Sequence, residues 1–318
     1  MQICELVNIA IVKGERIMIE EKLHTFIYWI YERHRIFLKK ELGDPRPWTL
    51  NSILDEYRFT NPFRENDKTT VWFRENMRKP LSNQDSVLMA TIIFRWFNLI
   101  ETGETLLKHN LHVDWKPDLA REKIKKQNKY VTGGYIIKTP DGMDKVDGVI
   151  WCINNLWADR DNLQEELLVN TNTLRRAHLV FQRYPYLGHF MSYELVTDLR
   201  HTYYLHDAED IMTWANAGPG AMRGLNRIYG RDLNYTSKKH DWNAEMQYLL
   251  GRVKESDFRN YLTQSDAYDS SKFSGIIYNK FATTDFKFEM RDIEHSLCEF
   301  DKYERVHNGE GKPRGRYR

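Results

Sequence analysis

Apolar residues recur every three or four positions along much of this chain, and the first clean run lies at 19–41. There Phe26, Ile27, Ile30, Ile36 and Phe37 fall on one stripe, which predicts an amphipathic helix. Gly43 and the two prolines of "LGDPRPWT" end it. "SVLMATIIFRWFNLI" reads as a strongly apolar helix that crosses the core, with Ser82 and Asp85 placed to cap its start. A basic helix follows at 118–129, and helical periodicity resumes over 159–183, 189–200, 207–216 and 221–230. Short β-type runs around a Pro-Asp-Gly turn in "VTGGYIIKTPDGMDK" predict one small β-hairpin. No repeat and no Pro/Gly/Ser linker divides the chain, so the pattern predicts a mainly α protein: a helical domain at 19–306, in one lobe or two. Residues 1–18 read as an N-terminal extension, and 307–318, "HNGEGKPRGRYR", as a disordered basic tail.

Composition narrows the class. Charged residues at 29% and hydrophobic residues at 41% fit a soluble globular protein. A net charge of +2 means that any nucleic-acid surface must be local. Nine tryptophans serve either dense packing or stacking on bases. Cys4, Cys152 and Cys298 are scattered and form no CxxC pair, which points away from a disulfide framework or a zinc cluster and toward a reducing cytoplasm. "LVNIAIV" is too short to span a bilayer, and no membrane partner is expected.

Four stretches could carry chemistry. In "YRFTNPFRENDKTTVWFREN", 57–76, aromatic residues interleave with Arg58, Asn61, Arg64, Asn66 and Asp67 without a helical period. This is either a polar loop pinned by its aromatics or one wall of a site for a flat, anionic ligand. "FQRYPYLGHFMSYELVTDLRH", 181–201, has the order helix, short turn, helix. Gly188 and His189 sit where turn amides and a helix N-terminus can hold a DNA phosphate, although Tyr186 stands where a hairpin glycine is expected. An ordinary αα-corner is the plain alternative. Glu194 and Asp198 share a face of the second helix, as an acid–base or metal-binding pair or as two solvated acids.

In "WANAGPGAMRGLNRIYGR", Gly218 and Gly220 flank a proline at a helix start, with Arg223 and Arg227 one turn apart. Free amides, the helix dipole and guanidinium groups make an oxyanion or pyrophosphate cradle, unless the glycines serve only the turn. No GxxxxGK[ST] occurs in the chain, which argues against an ATP-using kinase. Finally, "DIEHSLCEFDKYERV" sets His295, Glu299 and Lys302 on neighbouring helical turns, as an acid–base relay or as a structural hydrogen bond.

Together, "PWTLNSILDEYRFTNPFRENDKTTVW", "LGHFMSYELVTDLRHT", "WANAGPGAMRGLNR" and "EHSLCEFDKYER" resemble the α-glutamyl/putrescinyl-thymine pyrophosphorylases, or amino acid:DNA transferases, of phage DNA hypermodification. They are also similar to the helical domain of 5-hydroxymethyl-deoxyuridine DNA kinases. The resemblance runs from about residue 22 to 306. It implies a fold related to helix-hairpin-helix DNA glycosylases, and a substrate that is DNA carrying a pyrophosphorylated 5-hydroxymethyluracil made by an upstream 5-hydroxymethyluracil DNA kinase. An amine, such as an amino acid or a polyamine, would displace the pyrophosphate.

On this reading Glu194, Asp198, Arg223 and His295 are the candidate catalytic groups. Arg58, Asn61, Arg64, Asn66, Asp67, Gly218, Gly220, Arg227 and Lys302 would bind base and pyrophosphate, and Gly188 and His189 the DNA backbone. No cofactor follows from the residues, and a divalent cation is compatible with the chemistry. A base-excising glycosylase and a non-catalytic DNA-binding partner of the kinase stay as alternatives.

Overall fold

The structure is a computed structural model, and it describes residues 18–256 and 288–317. Every regular element among them is helical, and no strand forms. The expected N-terminal extension falls almost wholly outside the described residues. Two compact units emerge, one from Met1–Arg64 with Ala217–Arg318 and one from Glu65–Asn216.

The first unit contains α1 (Glu20–Glu41), α2 (Ser52–Glu56), α11 (Pro219–Ile228), α12 (Trp242–Glu255) and α13 (Met290–His307). α1 ends within a residue of its predicted bounds, with acids in its first turn and lysines in its last. α11 lies directly on α13 because two of its positions have no side chain. A Cβ on Gly220 would overlap the Cys298 sulfur, and one on Gly224 would overlap the Leu297 carbonyl. Burial pushes the Cys298 thiol up, far above the ordinary cysteine range.

The second unit comprises α3 (Lys68–Phe73), a π turn (Arg74–Arg78), α4 (Ser86–Phe97), α5 (Ile100–Lys108), α6 (Pro117–Ile124), α7 (Lys145–Ala158), α8 (Arg160–Val169), α9 (Leu174–Phe181) and α10 (His189–Leu199). α4 is its axis, buried from Val87 to Phe97, as its apolar run predicts. The helix expected over 159–183 breaks at Asn170–Thr173, where the Thr173 hydroxyl accepts the Arg176 N–H and starts α9.

Three expectations are corrected. The hairpin at 131–145 does not form. Its turn is present, with Gly142 at φ +80°, but the flanking backbone bonds elsewhere. The Thr132 N–H donates to the Phe97 carbonyl at 2.9 Å, the Ile137 carbonyl accepts from the Lys145 ammonium at 2.8 Å, and Asp144 caps α7. Residues 207–216 form turns instead of a helix. The Asp210 carboxylate accepts the N–H groups of Leu174 and Arg175 and so caps α9 from a distance. The C-terminal tail is not free either. Arg58 N–H donates to the Gly315 carbonyl and Tyr317 N–H to the Glu56 carbonyl, both at 3.0 Å, around an antiparallel Tyr57–Arg316 bridge.

Candidate functional site

In the first unit the segment 57–64 lies along α13. The Thr60 hydroxyl stands 2.8 Å from His295 Nε2, and the Thr60 N–H donates to Glu299 Oε2 at 3.1 Å. The other Glu299 oxygen accepts from the Lys302 ammonium. His295, Glu299 and Lys302 thus share one face of α13, as their spacing of four and three requires. Burial alone would lower the Lys302 pKa, but the charge and hydrogen bond of Glu299 outweigh it and hold it above the ordinary lysine value. Lys302 is therefore a fixed cation beside the Glu299 carboxylate.

The aromatics of the segment serve the core as well as the site. Phe59 is buried and meets Trp29 edge-on at 6.3 Å, and Phe63 meets His34 at 5.1 Å and Phe288 at 5.0 Å. The Arg33 guanidinium donates to the Phe59 carbonyl at 2.9 Å, which ties the segment to α1. Asn61 and Arg64 are buried, whereas Arg58 is exposed.

At the start of α11, Gly218 is the N-cap and its N–H points to Glu294 Oε1 at 3.4 Å. The two arginines of this helix differ. Arg227 is buried, donating to Asp301 at 2.8 Å and to Glu310 at 2.5 Å. Its burial would lower its pKa, yet Glu310 and Asp301 hold it above the usual value. It fastens the chain end to α11. Arg223 pairs with Asp301 at 3.2 Å, and its side chain keeps 31% of its exposure. Of the two, Arg223 is the one whose other guanidinium nitrogens have no hydrogen-bond partner among the described residues. Gly220 and Gly224 owe their identity to the α13 contact, so the glycine content of this stretch reflects packing as well as any anion cradle.

In the second unit Asp198 is fully buried. Arg95 grips it with two donors, one at 2.9 Å, and Arg78 Nη1 lies 3.5 Å away. Arg78 also reaches Glu65, whose backbone carbonyl accepts from Arg74 at 2.6 Å. Both arginines sit on the π turn, a rare element that re-aims side chains by inserting one residue per turn. Glu194, four residues before Asp198, is half-buried and accepts from the Tyr135 hydroxyl. Asn66 lies in a 3-10 turn and Asp67 is the N-cap of α3, both half-buried.

The α9–α10 turn has a feature the residue types obscure. Tyr186 takes the left-handed conformation, φ +64°, that a hairpin glycine would supply. Its ring rests edge-on against Trp151 at 5.9 Å. Gly188 caps α10 and is exposed with His189, while the His189 carbonyl accepts from His178 Nε2 at 2.9 Å. Burial keeps His178 below the usual histidine pKa, so it holds this turn as a neutral donor.

Sequence reasoning passed over Thr60, Asp301, Arg78, Arg95 and Tyr135. A signal existed for Arg95: a lone charge inside "MATIIFRWF" must be paired if the helix is buried.

An α-helical protein that presents imidazole, carboxylate and ammonium groups on one helix face, and anchors its helices with buried ion pairs, is what fold and site together define. The chain belongs to the family of the 5-hmdU DNA kinase helical domain, whose profile matches residues 20–312. It is 23% identical over 297 residues to the 5-hmdU DNA kinase of Bacillus phage SP10, a match that covers 86% of this chain and 43% of that protein. The chain thus spans less than half the length of that relative. No solved structure matches it. Among the described residues no helix is long and apolar enough to cross a membrane.

Proposed function

We propose that the chain is a DNA-modifying transferase that replaces the pyrophosphate of 5-(pyrophosphoryloxymethyl)uracil in DNA with an amine, an amino acid or a polyamine. The observation that carries this reading is the family match over residues 20–312. In the reaction the methylene C–O bond breaks, a C–N bond forms, pyrophosphate leaves with the bonding pair, and the amine loses a proton. Negative charge grows on the departing group, so a fixed cation is the most effective catalyst. Arg223 fills that role, supported by the Gly218–Gly220 helix start. His295 is suited to take the amine proton, with Thr60 and Glu299 setting its surroundings.

A base whose methylene reacts must leave the stack. In the first unit Asn61 is suited to its O4 and N3–H edge, and Arg58 and Arg64 to phosphates; in the second unit, taken by itself, Gly188 and His189 are suited to the DNA backbone. Glu194 is the candidate acid of the second unit. Asp198, closed in by Arg95, acts as an anchor for α10 that positions Glu194. A non-catalytic role beside a kinase is the competing reading, because the matched family is described as a helical domain of such a kinase.

Incubation with pyrophosphorylated hydroxymethyluracil DNA and a mixture of amines, followed by mass spectrometry of the nucleosides, separates the readings. An aminated nucleoside with free pyrophosphate is expected. A released base with an abasic site would mean a glycosylase, and unchanged DNA that is bound but not converted would mean a kinase partner.

A further inference from the structure

The C-terminal segment lays Tyr317 into a group of cations on the surface of the first unit. Lys40 Nζ stands 5.0 Å from the Tyr317 ring centre, the Arg58 guanidinium 5.5 Å and the Arg46 guanidinium 5.8 Å. Trp48 meets Tyr317 edge-on at 5.2 Å and carries Lys40 and Arg46 over its own face. Arg316 lies over Tyr57 at 5.1 Å. Two of these cations have carboxylates beside them, Arg46 with Asp55 at 2.9 Å and Arg316 with Glu56 at 3.1 Å. Lys40 and Arg58 are exposed, and among the described residues neither has a carboxylate within ion-pair distance. Burial of its stem, and to a lesser degree the charges of Arg33 and Arg58, hold Lys40 below the ordinary lysine pKa.

Cations stacked on aromatic rings are pre-ordered. The ring face holds a guanidinium while its N–H edge stays free for an anion. We propose that this patch grips the phosphodiester backbone of DNA, with Lys40 and Arg58 as phosphate ligands and Tyr317 as the platform that holds them. The proposal rests on the reading that the chain acts on DNA. A lone carboxylate of a protein partner needs one cation. A duplex, with a charge every ~1.7 Å of axis, matches several cations gathered on one ring.

The test is the salt dependence of binding to a short fluorescein-labelled duplex, read by anisotropy, for the wild type, the Lys40→Ala/Arg58→Ala double variant and Tyr317→Ala. Lys123→Ala/Lys126→Ala, which removes surface cations of the second unit paired with Glu122, serves as the comparison. Loss of two phosphate contacts should make the slope of log K against log salt shallower by about 1.8. Tyr317→Ala should weaken binding with a smaller change of slope, and the comparison variant should bind like the wild type. Thermal melting checks that each variant is folded. A double variant with the wild-type slope would overturn the patch and leave the DNA reading standing. A wild type that binds no DNA at low salt would overturn both. Intact DNA binding with lost binding to poly-glutamate would make the patch a dock for an acidic protein, and the proposal would fall.

Discussion

Replacing Gly224 by alanine adds one methyl group where α11 lies against α13. The new Cβ would stand 2.9 Å from the Leu297 carbonyl carbon and 3.1 Å from its Cβ, inside the 3.4 Å at which ordinary contact begins, and would overlap the carbonyl oxygen. That oxygen belongs to the backbone of a helix, so it cannot rotate away. The helices must separate. Overpacking of this kind costs about 1–3 kcal/mol, toward the upper end against a rigid neighbour. Alanine's better helix propensity returns about 1 kcal/mol. A net loss of about 2 kcal/mol is expected, which raises the unfolded fraction about thirtyfold.

Gly251, in the interior of α12, has nothing within 4 Å of its Cβ position. There the same change should stabilise by about 0.4–1 kcal/mol. Urea unfolding of the two variants should therefore shift the midpoint in opposite directions. Because α13 also carries His295 and Glu299 against Thr60, Gly224→Ala should lower turnover by more than its loss of folded protein explains. A Gly224→Ala protein as stable as the wild type would refute the close packing, whatever Gly251→Ala does.

Other outcomes follow from the same geometry. Arg223→Ala should fold normally yet lose a hundredfold or more in turnover, about 3 kcal/mol of barrier, and near-normal turnover would sink its role as the leaving-group cation. Asp198→Asn leaves Arg95 buried without its charge partner and should cost about 3–5 kcal/mol, partly restored by adding Arg95→Met; a neutral Asp198→Asn in calorimetry would contradict this. His34 is held to a pKa of about 3 by burial and then by the Arg33 charge. The unfolded chain takes up this proton below about pH 6.5, so stability should fall as pH drops from there toward 3, by about 1.4 kcal/mol per unit. His34→Leu should flatten that limb by one proton, and an unchanged acid limb would rule the mechanism out. Asn61→Ala should slow single-turnover reaction by about 1–3 kcal/mol, and a normal rate per folded molecule would return the residue to a structural role.

The chain's local periodicity was enough to place α1, α4, α10 and α11, because a helix is built from contacts three and four residues apart and its apolar stripe is written in consecutive residues. The face shared by His295, Glu299 and Lys302 was legible for the same reason. The hairpin was not. Strand pairing needs a partner, and the Pro-Asp-Gly turn with its alternating Ile136 (exposed) and Ile137 (buried) has none, since its backbone groups bond to Phe97 and Lys145 instead. Charged residues could be seen, but not what they face. Asp198 lies 103 positions from Arg95, and Asp301 lies 74 from Arg227. Only the tertiary structure turns the first pair into a buried anchor, ties Arg227 to Asp301 and Glu310, and leaves Arg223 the more exposed of the two arginines. The glycines of α11 show the limit most clearly. Gly220 and Gly224 could open a phosphate site or admit a neighbouring helix, and the choice depends on what stands opposite, which is α13, some seventy residues further along.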